Sequence, residues 1–482
     1  MDMIVEVTGH NLTLEMIDAV ARQGRRVAIG ATAIDQMERG RQALDTAIAR
    51  GERIYGATTS VGLKTTTRID QGNATEFNRR LLRTHNAGHG PVASRDAVRA
   101  TLLALLNSLA SGRTGARPLL AHVIAEAINA DTPIDMHVWG SMGQSDMSSM
   151  SDIGLALFGD AELAAGEALA LLNSSAMSTG MAALAVIDLD RLLRLSTLTS
   201  ALSMEGYAAN PSIVSAIALE SRPFDGLRLH GGSIRRYLDG SYILDADGPR
   251  NHQDPLCFRS LPMVQGTAQD NMTFATGQII RELNASQGNP VISLNDGGLA
   301  AVANFDMVAL CMALDVARLG FAPLLTSSAE RVAKLVDAIW SGLPASLIED
   351  DGVGAPGFNG VALFHKSITS EARLLTVPLA GELASSSHSN GVMDRASLAA
   401  LGARRAIELA HLGRSIIAME MMVAAQAVDL RGRRPLGRVT GALHAFVREA
   451  LPFTATGGSA PRVQPLLDLI ESSGPALDEL MA

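Results

Sequence analysis

Between Ile416 and Leu430 the chain reads IIAMEMMVAAQAVDL, which is apolar on nearly every face of a helix. A helix with no wet side is stable only inside a bundle, so this segment fixes the fold class before anything else does. Leu398, Leu401, Leu409 and Leu412 carry the same three-and-four spacing upstream and extend the predicted helix over 395–430. Residues 306–325 and 270–283 read alike. In 97–112, Val98, Leu102, Leu105, Leu106 and Leu109 share one face, and Gly112 supplies the stop. Strand signals are confined to 4–8 and 26–29. The expectation is a mainly α protein: an α+β region over 1–195, then a bundle of long antiparallel helices over 196–482.

Hydrophobic residues make up 47% of the 482 and charged residues 18%. No run of 18 apolar residues is visible, so the surplus is assigned to buried helices and subunit interfaces, and an obligate oligomer is expected. A net charge of −9, without a Lys/Arg-rich run, argues against nucleic acid or an anionic membrane as partner. Cys257 and Cys311 are the only cysteines. They make no disulfide framework and fit a reducing compartment. The N-terminus shows no basic segment followed by an apolar core, so a cytoplasmic location is expected.

Glycine-rich loops at 55–63, 139–144 and 352–360 are the places to look for chemistry. GATTSVGLKT at 56–65 fails as a phosphate loop, because five residues separate its glycines and Leu63 splits Gly62 from Lys64. His85 and His89 are four apart, as helical metal ligands are, yet glycines surround them and no acidic or cysteine partner is fixed nearby. No metal is expected. Ser145, in GSMGQSDMSS, does not sit in the G-x-S-x-G frame of hydrolases.

Read together, the loops say more. IYGATTSVGL at 54–63 resembles Tyr-Gly-Val-Asn-Thr-Gly-Phe-Gly, and NRRLLRTHNAGHG at 78–90 resembles Asn-Leu-Leu-x-Ser-His-x-x-Gly-x-Gly. EALALLNSS at 167–175 is similar to Gly-Leu-Ala-Leu-Leu-Asn-Gly-Thr, and QDPLCFR at 253–259 to Gln-Asp-Pro-Tyr-Ser-Leu-Arg. ELNASQGNPVI at 282–292 is similar to Glu-x-Asn-x-x-x-Asp-Asn-Pro, and NFD at 304–306 stands where Asn-Phe-His is usual. Six such segments in order and at similar spacing resemble the family of histidine, phenylalanine and tyrosine ammonia-lyases.

That family removes ammonia from Cα and an unacidified proton from Cβ. It uses an electrophile, 4-methylideneimidazole-5-one (MIO), made when an internal Ala-Ser-Gly cyclises. The resemblance implies a homotetramer whose sites draw on several subunits. It implies Tyr55 as the lid base, Arg259 as the bidentate carboxylate clamp, and Asn173, Gln253, His85 and Phe305 as substrate-facing residues.

The cofactor segment departs from the pattern. Here 140–152 reads GSMGQSDMSSMSD, with Gln144 at the alanine position and Asp146 at the glycine position. A Cβ there opposes the compressed turn that brings nitrogen to carbonyl, and a carboxylate adds negative charge. MIO is therefore expected not to form. Gln144, Ser145 and Asp146 become candidate polar groups, Ser145 and Asp146 as catalysts. Leu256 replaces a tyrosine, and SSSHSNG at 385–391 replaces a carboxylate-bearing Asn-Gln-Glu-Asp-His, bringing Asn390 or its neighbours toward the pocket. Three readings remain: an MIO-free lyase doing elimination, addition or cyclisation on a small carboxylate; an MIO-dependent ammonia-lyase or aminomutase with an odd tripeptide; or an inactive homologue that binds or scaffolds.

Overall fold

The structure is a computed structural model that describes residues 4–380 and 385–481, without the side chains of 385–387 and 475. Two compact units share the chain. The first comprises Met1–Ile187, Ala275–Asp315 and Pro378–Ile407; the second comprises Asp188–Phe274, Val316–Val377 and Glu408–Ala482. Along the sequence the segments of the two units alternate, because long helices carry the chain out of one unit and back.

In the first unit, strands β1 (Val5–Val7) and β2 (Val27–Ile29) pair in parallel, Val5 opposite Val27. Helix α1 (Ala74–His85) precedes α2 (Arg95–Ala110), whose residues are buried from Ala97 onward. Ser94 caps α2, its hydroxyl accepting from Ala97 N at 3.3 Å. The predicted stop is met: Gly112 has φ +73°, and a Cβ there would lie 2.2 Å from the Gln36 carbonyl oxygen. Further along come α3 (Met147–Phe158), the short α4 (Glu167–Leu172) and α5 (Ala176–Tyr207), 32 residues long.

Three more long helices complete the set: α6 (Leu261–Leu283), α7 (Val308–Val336) and α8 (Ala399–Arg431). Each of α5 to α8 begins in one unit and ends in the other. Helix α8 begins four residues later than its periodicity suggests. Leu398, at φ +60°, cannot join it, and Leu398 N donates to Met142 O at 2.9 Å. Arg395 therefore belongs to a strand. Two small antiparallel ladders lie in the first unit, β3 (Val291–Ile292) with β4 (Leu299–Ala300) and β5 (Ser385–His388) with β6 (Met393–Arg395).

Two helical stretches, Glu167–Tyr207 and Val308–Val336, are long enough and on average apolar enough to cross a membrane, although polar residues interrupt both. Their apolar windows are 89% and 61% buried within the protein.

The second unit is built around charge sealed among helices. Arg331 of α7 meets Glu420 of α8 through two nitrogens, at 2.6 and 2.9 Å, and Ser203 adds a hydroxyl donor to the same carboxylate at 2.8 Å. Both charged side chains are essentially fully buried.

Candidate active site

The loop that ends at Asp146 is held by the segment before α8. Gly143 has φ +78°, and a Cβ there would come within 2.2 Å of Ser397 Oγ and 2.7 Å of Ala399 N, so only glycine fits. Ser397 Oγ donates to Gly143 O at 2.5 Å. Two residues on, Ser145 takes φ +67° without being glycine. A side chain in the left-handed region costs about 1–2 kcal/mol, a strain that tends to collect at functional positions. The Ser145 hydroxyl makes a short hydrogen bond to Asn173 Oδ1, and Asn173, the C-cap of α4, donates through Nδ2 to Asn289 O at 3.1 Å.

Asp146 turns the other way. It caps α3 from the backbone only; its carboxylate lies at the first turn of α5. Oδ2 accepts from Ser178 N at 2.7 Å, and Oδ1 accepts from Ser178 Oγ at 2.7 Å and Ser141 Oγ at 2.5 Å. A negative group at a helix N-terminus meets unsatisfied N–H groups and the positive end of the dipole. Its own N–H donates to Ser174 O at 2.8 Å. The residue is wholly buried, and burial pushes its carboxyl above the usual range despite the bonds from Ser141 and Ser178 that pull it down.

Beside the loop opens a cavity of about 440 Å³, lined entirely by the first unit. Tyr55 lines it, with its phenolic oxygen accepting from Gly62 N at 3.1 Å. Ser145, Asn173, Asn289 and Phe305 form further wall. Gln144 joins three segments. Its backbone bridges to Asp306, and its Nε2 donates to Arg395 O at 3.3 Å. Its Oε1 is buried with no partner. Asp306 and Arg395 themselves form an ion pair of 3.3 Å across the wall.

A phenol, a strained serine bound to an amide, and charged groups around one cavity suit proton transfer on a polar substrate. The aromatic amino acid lyase family model matches residues 12–449. The chain belongs to that family. Histidine ammonia-lyase of Streptococcus sanguinis (strain SK36) is 29% identical over 478 residues, 94% of this chain and 92% of that enzyme. The ergothioneine-degrading enzyme ergothionase of Treponema denticola, in complex with desmethyl-ergothioneine sulfonic acid, superposes with a TM-score of 0.91 at 27% identity, covering 98% of this chain and 99% of that one. Tyrosine aminomutase of Streptomyces globisporus, at 24% identity, shares the fold with a TM-score of 0.89 over 98% of this chain and 96% of its own.

Of the residues expected in the site, this lyase brings together Tyr55, Gln144, Ser145, Asn173 and Phe305. Asp146 is corrected: as a candidate catalyst it was expected to face substrate, but the first turn of α5 draws its carboxylate inward. His85, the last residue of α1, does not line the cavity; its Nδ1 donates to Leu81 O at 2.8 Å. Asn390 sits exposed at the turn of the β5–β6 hairpin with φ +58°, and its neighbour Ser389 lines the cavity instead. Gln253, Leu256 and Arg259 belong to the second unit and are exposed. Arg259 donates to Gln253 Oε1 at 3.0 Å. Asn289, Asp306 and Arg395 went unassigned, although GNP and NFD both stood out as motifs; nothing local marks Arg395, which arrives through the hairpin.

Proposed function

We propose that this lyase eliminates an amine from a small amino-acid-derived carboxylate without an MIO electrophile. The observation that carries the reading is Asp146. The glycine position that cyclisation needs holds a residue whose carboxyl is fixed by Ser141 and Ser178 and whose N–H is engaged by Ser174. These residues do not fit the cyclised group. The cavity nonetheless keeps Tyr55, Ser145 and Asn173.

Tyr55 takes the Cβ proton, with Gly62 N–H fixing the direction of its oxygen. The C–H electrons become the new double bond, and the C–N bond breaks with its pair on nitrogen. Ammonia leaves poorly in such a step. A tertiary amine leaving from a quaternary ammonium needs neither a proton nor an electrophile. The likeness to an ergothioneine-degrading enzyme supports an amino-acid-derived substrate.

We also propose that the chain works as a homotetramer. Gln253 and Arg259 are exposed in the single chain, as is Leu256 at 64%, and this suits residues supplied to a neighbouring copy's site. The test is turnover of N-trimethylated and free α-amino acids, followed by amine release. Activity on betaines that survives borohydride, with a loss of about 10²–10⁴-fold in Tyr55→Phe, is expected. Ammonia release from free amino acids that borohydride abolishes would instead support an MIO enzyme.

A further inference from the structure

The cavity has a cation of its own, distinct from the Arg259 that the resemblance implies as a clamp. Among the described residues lining it, Arg395 is the only cation. Three contacts place it. Its carbonyl oxygen receives Gln144 Nε2, its strand β6 is held in the hairpin, and its Nη2 lies 3.3 Å from Asp306 Oδ2. Asp306 is positioned in turn by its backbone bridge to Gln144.

The pair does little for stability. The side chains are 48% and 24% exposed, and ion pairs of that kind contribute about 0–1 kcal/mol. Orientation is what the pair supplies. A guanidinium has five N–H donors in a fixed fork, and one carboxylate oxygen at one nitrogen leaves most of that fork available. The segment around it is neutral or acidic, with Asp394 also lining the cavity. An acidic group on the ligand would thus find Arg395 as its single strong partner.

We propose that Arg395, steered by Asp306 as a positioning residue, reads a second acidic group on the substrate, beyond the α-carboxylate assigned to Arg259. The substrate class is an amino-acid-derived compound whose side chain ends in a carboxylate, sulfonate or thiolate. This rests on the reading of the cavity as a carboxylate-binding lyase site.

Calorimetric titration with trans-cinnamate and with 4-carboxycinnamate tests it, using the assembled protein. The dicarboxylate binds about tenfold or more tightly than the monocarboxylate, as a charge-assisted pair implies. Arg395→Gln abolishes that preference while leaving cinnamate binding as it was, and Arg395→Lys restores part of it. Asp306→Asn reduces the preference, and Arg259→Gln weakens both acids alike. A preference that persists in Arg395→Gln overturns the proposal, as does equal weakening of both acids in that variant. Failure of the unsubstituted protein to bind either acid overturns the carboxylate-site reading itself, and this proposal with it.

Discussion

Asp146 in the first unit and Glu420 in the second are both wholly buried carboxyls, yet they are satisfied in different ways. Glu420 has a counter-charge, the guanidinium of Arg331, gripped through two nitrogens among buried helices. Asp146 has hydroxyls and a helix terminus but, among the described residues, no paired cation, and the next residue back, Ser145, lines the open cavity. The first arrangement locks a bundle. The second holds a loop in shape while leaving local polarity to the chemistry, and a carboxyl without a counter-ion feels its burial more.

Breaking the Arg331–Glu420 pair from one side gives the largest effect. Glu420→Gln or Arg331→Met is expected to lower unfolding free energy by about 3–5 kcal/mol, because one buried group is left unpaired. Replacing both with apolar residues costs much less. Denaturant titration at fixed protein concentration checks both.

His365 tests the same region through pH. It is hydrogen-bonded to Ser328 and Thr369, and burial, helped by the nearby charges of Arg331 and Lys366 and opposed by Glu420, pushes its imidazole down to about 4. The fold holds it neutral. Its contribution is complete above the ordinary value near 6.5 and is lost as pH falls from 6.5 toward 4, about 3 kcal/mol in all. His365→Asn should flatten that acid-side slope.

Asp146 carries the opposite sign. Its carboxyl is raised, so the stability it lends is full below the ordinary value near 3.8 and declines as pH rises through its raised range. Asp146→Asn should cost no more than about 1 kcal/mol at pH 4, since an amide can stand in for the neutral carboxyl, and the cost should shrink as pH climbs. If the cost grows with pH instead, the contrast with Glu420 fails. The smallest effect belongs to the cavity wall: Arg395→Gln should change stability by less than about 1 kcal/mol, so any loss of ligand preference in that variant is recognition rather than folding.

These regions were not equally legible in the sequence. The helices around 97–112 and 416–430 follow from periodicity, and the family resemblance from six ordered segments. Tyr55, Ser145 and Asn173 were placed because each sits in its own motif. Asp146 stood out as an anomaly, but its direction depends on Ser178, thirty-two residues away, presenting a helix N-terminus. Glu420 reads as one charge in an apolar run, and its partner Arg331 lies on another helix. Arg395 looked like the start of α8; only the backbone at Leu398 shows that it belongs to a hairpin.

In the proposed function the loop keeps its shape without forming the electrophile. Intact mass of the purified protein, with peptide mapping across 139–152, tests it directly. The expected result is the full unmodified mass, with Gln144-Ser145-Asp146 recovered as an ordinary tripeptide. A deficit of two waters, roughly 36 Da, confined to that peptide would be a covalent modification of the chain and would contradict it.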